Sequence, residues 1–389
     1  MKRIYLDHAA TTPIDKRIVK TMREFELKFY GNPNSIHREG QQARAAIDFA
    51  RADISKFFAC KPQEIIFTSS ATESNNHAIQ GTVAWAINEF KIKPHVITTE
   101  LEHSSVYNLV RHLQKNGVID ATFIKPDAEG CIDPKQIIGE ITEHTVLVSC
   151  IFVSNEIGSV LPIREIGKIL SEVNSRRTLK VLFHTDAVQA VKFYNCNVEK
   201  LNVDLLTFSA HKINGPKGIG GLYIKAGTKI NNLMVGGSQE YDKRPGTQNT
   251  AGIIGMADSF KFLGPLEARQ KNGKKISKLK NILCAKLLDL NGIELNGTLK
   301  ENLTCPDILS ISVSNTDQET LITSLDLAGI SASTGSACVS GSTEPSHVIR
   351  ALGKNQNLKS TVRFSLSSKN TTSEINTLIK IISSIKHNG

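Results

Sequence analysis

Short apolar runs alternate with helix-length stretches along most of this 389-residue chain, and that alternation constrains the fold more than any other feature. Predicted strands cover residues 65–67, 95–98, 121–124, 146–153, 180–184, 204–208 and 221–224. Helix-length segments at 72–88, 104–116, 134–141 and 163–174 fall between them. Repeated strand–helix–strand order sets successive strands parallel, with helices on the sheet faces, so the pattern predicts an α/β architecture with a mostly parallel sheet. Several polar clusters follow directly on predicted strands, at the edge where open α/β sheets bind ligands. A basic helical region near 263–290 leads to a second unit, with strands at 308–313 and 361–365 and a closing helix at 373–385.

Composition excludes several function classes. Forty per cent of the residues are apolar, enough for ordinary cores, yet no run approaches the length a membrane span needs. The opening MKRIYLDHAATTP lacks the apolar centre of a signal peptide. Seven cysteines, at 60, 131, 150, 196, 284, 305 and 338, are scattered without a CxxC pair. That usage argues against a disulfide framework and for a reducing, cytoplasmic setting. With no HExxH, no paired CxxC and no phosphate-loop lysine motif, neither an intrinsic metal site nor a nucleoside triphosphate site is expected. The formal charge of +10 raises the question of nucleic acid. Its densest stretch, KNGKKISKLK, lacks interleaved aromatic residues and reads as a solvated helix face, so nucleic acid is not an expected partner.

The chemistry-bearing residues cluster after the predicted strands. Lys212 lies in FSAHKINGPKGIGGLYI, between a strand end and a glycine-rich turn. Asp186, in HTDAVQ, follows another strand. Alone each has a plain reading, a surface charge or a helix cap. Together they form the pair pyridoxal phosphate requires: a Schiff-base lysine, and a carboxylate facing the pyridinium nitrogen that keeps the ring an electron sink. TSSATESN, from Thr68 to Asn75, opens a helix with small hydroxyl residues and free N–H groups suited to a phosphate dianion, and Ser209 and His211 are further phosphate donors. His103, in EHSSV, stands where an imidazole can stack on the ring and shuttle protons. Asn155, in SNEIG, offers an amide to the cofactor's phenolic oxygen, and Arg363, in VRFSLS, suits a substrate carboxylate. Cys338, in STGSACVS, sits in a Gly/Ser loop and reads as a reactive thiol, whereas Cys150 sits in an apolar run and reads as core.

In this order the segments resemble the class V aminotransferase family, and within it the cysteine desulfurases of the NifS/IscS type. The matching stretches are YLDHAATTP, GNPNSIHREG, IIFTSSATESNN, EHSSV, SNEIG, HTDAVQ, FSAHKINGPKGIGGLYI, RPGTQN, STGSACVS, EPSHVIRALG and VRFSLS, spread over nearly the whole chain. The resemblance implies a fold-type I PLP-dependent transferase. Its large cofactor-binding domain would span 16–260, and its smaller α+β domain would be built from 1–15 and 261–389. It implies that L-cysteine becomes L-alanine while its sulfur passes to Cys338 as a persulfide. Lys212 would be the Schiff-base lysine and proton carrier, Asp186 would face the pyridinium nitrogen, and His103 would stack on the ring. Ala71, Thr72, Ser209 and His211 would hold the phosphate, Asn155 and Gln189 the ring oxygen, and Arg363 the substrate carboxylate. Thr247 would reach the phosphate of a neighbouring subunit, implying a homodimer. A sulfur acceptor or iron–sulfur scaffold protein is the implied partner, with Cys338 a transient contact to its cluster. Ser154 and Pro245 depart from the family's usual residues. The competing readings are a selenocysteine lyase or aminotransferase on the same fold, against the second of which the loop cysteine argues, and a non-enzymatic sulfur-carrier or RNA-binding relative, against which Asp186, Lys212 and Arg363 argue.

Overall fold

The computed structural model describes residues 3–334, 346–353 and 360–388. A seven-stranded sheet runs in the order Ile65–Thr68, Gly220–Ile224, Leu205–Ser209, Leu182–Asp186, Thr145–Ser149, His95–Thr99, Asp120–Ile124. The last five are mutually parallel, and Gly220–Ile224 runs antiparallel to both its neighbours. Only residues 210–219 join it to the preceding strand. A parallel crossover needs about a dozen residues or more, so this short link returns the chain antiparallel. Most of these strands are buried along their whole length, as expected where helices cover both faces. Ile54, Phe58, Phe208, Ile253 and Phe260 share one core cluster, and Ala78, Val83, Val106, Val110 and Leu222 another. Gly220 is required by a close approach: a Cβ there would meet the Ser70 carbonyl carbon at 2.6 Å. The strand is thereby pressed against the start of the helix Ala71–Phe90.

A three-stranded antiparallel sheet, Ser360–Ser365, Ile308–Val313 and Ile293–Asn296, forms a separate layer. Its apolar side shares a cluster with Leu283 and Leu287 of helix Leu266–Leu288 and with Ile375, Leu378 and Ile382 of helix Thr372–Asn388. Residues near the N-terminus join the two layers. Ile4–Tyr5 pairs with Ile330–Ser331, Ile4 and Leu6 enter the smaller core, and Ala9 belongs to the larger one.

The predicted elements are present with shifted ends, and some helices escaped the sequence reading. The strand expected over 146–153 stops at Ser149, although the Cys150 and Phe152 N–H groups still donate to His184 and Asp186 carbonyls. The strand expected over 180–184 instead occupies Leu182–Asp186, so Asp186 is its last residue. Helices Lys16–Lys28, Arg38–Phe58, Thr250–Leu263 and Gln318–Leu327 were not anticipated. The basic stretch at 271–280 is only partly a solvated face: Lys280 is fully buried, its ammonium donating to Thr304 Oγ1 at 3.0 Å. No helix among the described residues is long and apolar enough to cross a membrane.

Candidate active site

A cavity of about 260 Å³ opens at the carboxyl ends of the parallel strands. Ser70, Ala71 and Thr72 form one side, at the N-terminus of the 20-residue helix Ala71–Phe90, where Ser70 Oγ caps the Glu73 N–H at 3.2 Å. First-turn N–H groups have no partner within their own helix, and the helix dipole adds partial positive charge there, so this side suits an anion. His103 precedes the helix Ser104–Lys115 and caps it, Nδ1 accepting the Ser105 N–H at 3.1 Å. Asp186 ends its strand with Oδ1 accepting the Val188 N–H at 3.0 Å and Oδ2 accepting Asn75 Nδ2 at 2.8 Å.

Lys212 closes a short turn, Ala210–Lys212, that follows the adjacent strand. Its ammonium donates to the Ala9 and Ala10 carbonyls, both at 2.7 Å. Burial, then the nearby charges of Arg363 and Lys192, lower its pKa to about 8. Desolvation, with Lys212 next, lowers His211 to about 4. Burial also lowers His103 and raises the Glu156 carboxyl. Arg363, almost wholly buried on strand Ser360–Ser365, donates to Asp7 Oδ1 and the Asn155 carbonyl, each at 2.8 Å. Two oxygens on residues of this wall, Asn155 Oδ1 and Gln189 Oε1, are buried without a donor among the described residues, while Gln189 Nε2 donates to the Ala9 carbonyl at 2.9 Å. The site therefore combines an anion-binding helix end, an amine with a lowered pKa, a carboxylate and a guanidinium in one enclosed space.

Ala71, Thr72, His103, Asn155, Asp186, Gln189, His211, Lys212 and Arg363 all line the cavity. Ser209 lies behind that wall, buried, with its hydroxyl donating to the Ile219 carbonyl at 3.3 Å. Thr247 is exposed in a separate groove beside Thr68, Ser69 and Arg244. Cys338 lies outside the described residues. Sequence reasoning passed over Asp7, Asn75 and Glu156. Asp7 and Glu156 stand inside quoted motifs, Glu156 beside the assigned Asn155, and Asn75 closes the phosphate motif; only the tertiary contacts reveal their partners.

The sequence profile described as "Aminotransferase class-V" matches residues 4–378. The chain belongs to the class-V aminotransferase family. Members of that family depend on pyridoxal 5′-phosphate, which holds the substrate and stores electrons. The chain is 42% identical over 388 residues to "Cysteine desulfurase IscS" of Dictyoglomus turgidum, covering 99% of this chain and 95% of that protein. It is 38% identical to "Putative cysteine desulfurase IscS 1" of Bacillus subtilis, covering 99% of both. A solved structure titled "NIFS-LIKE PROTEIN" superposes over 100% of both chains with a TM-score of 0.89 at 34% identity. Within the family, then, the chain stands among the cysteine desulfurases, and its fold is that of the NifS-like enzymes.

Proposed function

We propose that the protein is a pyridoxal 5′-phosphate-dependent cysteine desulfurase that converts L-cysteine to L-alanine and carries the sulfur on Cys338 as a persulfide. The observation that carries this reading is Lys212: a half-buried amine with a pKa lowered to about 8, in one cavity with Asp186 and Arg363. The residues present fit the cofactor. The N–H groups at Ala71 and Thr72, with His211, would hold its phosphate; Asp186 would meet its ring nitrogen; the unpartnered oxygens of Asn155 and Gln189 mark two polar groups for its ring substituents; and Lys212 would anchor it. When bound, the cofactor supplies an electron sink for the charge left at the substrate's α-carbon. Lys212, neutral above about pH 8, takes and returns the proton at that carbon. Arg363, held by Asp7 and the Asn155 carbonyl, orients the substrate carboxylate. The Cys338 thiolate takes the substrate sulfur; the carbon–sulfur bond breaks, a sulfur–sulfur bond forms, and the carbon gains a proton to leave as alanine. Thiol and thiol give alanine and persulfide, with no outside oxidant.

The persulfide sulfur then passes to an acceptor protein, for iron–sulfur cluster assembly or another thiolation, with Cys338 the contact. Thr247, outside the cavity of its own chain, is suited to reach the phosphate of a second subunit in a homodimer. The exposed apolar side chains of Ile36, Phe49 and Val235 support such an assembly. Scattered cysteines, free where described, fit a reducing cytoplasm. Purified protein supplied with L-cysteine should release alanine, and sulfide when a reductant is present. Lys212→Ala should lose both products together with the retained yellow cofactor. Wild-type output from that variant would overturn the reading.

A further inference from the structure

Asn75 lies on the second turn of helix Ala71–Phe90, fully buried, and it is not among the residues lining the cavity. Its side-chain Nδ2 nevertheless meets two groups that serve the cavity. It donates to Asp186 Oδ2 at 2.8 Å and to Ser105 Oγ at 2.8 Å. A carboxylate accepts hydrogen bonds and gives none, so the amide must turn its NH₂, not its oxygen, toward Asp186. That orientation makes the Ser105 oxygen an acceptor. Having accepted a hydrogen bond from Asn75, the Ser105 hydroxyl still has its own proton to donate, and His103 Nδ1 lies 2.8 Å away. The Ser105 backbone N–H, which can only donate, reaches the same nitrogen at 3.1 Å. Two donors on Nδ1 place the imidazole proton of the neutral ring on Nε2.

We propose that Asn75 is a positioning residue that ties Asp186 to His103, holding the carboxylate in place and, through the Ser105 hydroxyl, reinforcing the Nε2–H tautomer that the Ser105 backbone N–H sets on His103. The consequence for catalysis rests on the reading of this cavity as the cofactor pocket; the tautomer does not. His103 then presents a proton donor at Nε2, and its Nδ1 is closed to proton uptake by the Ser105 contacts. Each donor of this network has an acceptor, while Asn75 Oδ1 is buried without a partner among the described residues, and linked members depend on one another more than isolated pairs do. Burial of His103, which lowers its pKa, favours the same neutral ring.

The test uses cofactor-free protein with ¹⁵N-labelled histidine. The His103 signals are assigned by their disappearance in His103→Gln, and the two ring-nitrogen shifts report the tautomer directly. Wild type should show Nε2 protonated and Nδ1 bare. Asn75→Ala, which frees the Ser105 hydroxyl to turn and leaves the backbone N–H as the remaining donor to Nδ1, should move both shifts part-way toward a mixed tautomer. Ser105→Ala, which removes the hydroxyl but keeps the backbone N–H on Nδ1, should move them part-way in the same sense while leaving the Asn75–Asp186 bond intact, which keeps the test open if Asn75→Ala folds poorly. In cofactor-loaded enzyme Asn75→Ala should lower kcat by roughly tenfold to a hundredfold, the effect of losing a hydrogen bond to a charged group, with KM for L-cysteine nearly unchanged because Arg363 is untouched. Shifts identical to wild type in both folded variants would overturn the proposal. Shifts that respond in a protein inactive toward L-cysteine would keep the network and sink the functional reading instead.

Discussion

At the scale of single residues, the chemistry turns on whether Lys212 can be neutral. An unburied lysine amine titrates near 10.4. Here desolvation, reinforced by the positive charges of Arg363 and Lys192, brings it to about 8. Competitive labelling of the cofactor-free protein with an amine-reactive anhydride, read by mass spectrometry, should give a Lys212 midpoint near pH 8, more than two units below the surface lysines. Should Lys212 titrate in the ordinary lysine range, the site does not activate it. Cys338 makes a second residue-scale prediction. Cys338→Ser leaves Lys212 and Arg363 untouched, so it should keep the yellow cofactor and still change its spectrum with L-cysteine. It should carry no added sulfur and release almost no sulfide. A persulfide on Cys131 or Cys305 in a fully active Cys338→Ser enzyme would move the sulfur elsewhere. The burial of Cys305, whose thiol is pushed up to about 12, argues against it as a nucleophile. Most of the wall was legible in the sequence because its residues stand within a few positions of a strand's end. Asn75 was not, because its partner Asp186 lies 111 residues away, nor was Asp7, whose bond to Arg363 spans 356. A contact of that separation leaves no local pattern.

At the scale of elements, the sheet's outer edge shows what holds the anion-binding helix start in place. Ile65–Thr68 is the edge strand, and its outward backbone groups find charged partners. The Phe67 N–H donates to Glu240 Oε2 at 2.8 Å, and the Ile65 carbonyl accepts from Arg51 Nη1 at 2.6 Å. Arg51 and Glu240 also form a two-pronged ion pair at 2.7 and 2.8 Å, with side chains only 3% and 1% exposed. Water cannot replace a lost partner there. Glu240→Ala should therefore cost about 3–5 kcal/mol, leaving a buried guanidinium and an edge N–H unpaired. It should lower the denaturation midpoint and speed amide exchange at Phe67. Replacing both members, Arg51→Met with Glu240→Leu, should recover part of the loss. A midpoint unchanged by Glu240→Ala would show the pair to be ornamental. Neither partner was singled out from the sequence, since 189 positions separate them. Glu240, Tyr241 and Asp242 all adopt left-handed backbone angles, which no glycine there announces. The strands were legible because each is a compact apolar run. Helix Arg38–Phe58 was overlooked although Ala43, Ile47, Ala50, Ile54 and Phe58 mark its buried face. Two of those five are alanines, which weaken the apolar signal. The short turn Ala210–Lys212 carries no period at all, and only its following glycines betray it.

At the scale of the whole molecule, the buried and half-buried histidines decide how it responds to acid. Burial lowers His8, His77, His211 and His347 to about 4 each, and His184 to about 3. In the unfolded chain a histidine titrates near 6.5. Between those values the unfolded state binds protons that the folded state refuses, so stability falls as pH drops. The loss begins near pH 6.5 and continues to about 4, where the folded groups themselves begin to protonate. Glu102 works the other way. Fully buried, with Oε1 accepting the Ile151 N–H at 2.7 Å, its carboxyl is raised to about 8 by desolvation. It holds a proton the unfolded chain gives up above about 4.3, so it gains stability as pH falls from 8. Burial raises Glu156 and Asp204 in the same sense. From pH 8 down to about 6.5 Glu102 titrates with little opposition from these histidines; below 6.5 five histidines oppose the raised carboxyls. The melting temperature of the cofactor-free protein should therefore peak near neutrality and fall steadily toward pH 4. Calorimetry across that range reads it. Burial alone lowers His184, and its ring bonds Ser149 and Thr207. His184→Asn should thus lower the melting temperature at pH 7 yet flatten its slope between about pH 6.5 and 4, because one of the refusing groups is gone. A wild-type melting temperature constant down to pH 4.5, or a His184→Asn slope as steep as wild type, would mean that these rings take up their protons without unfolding.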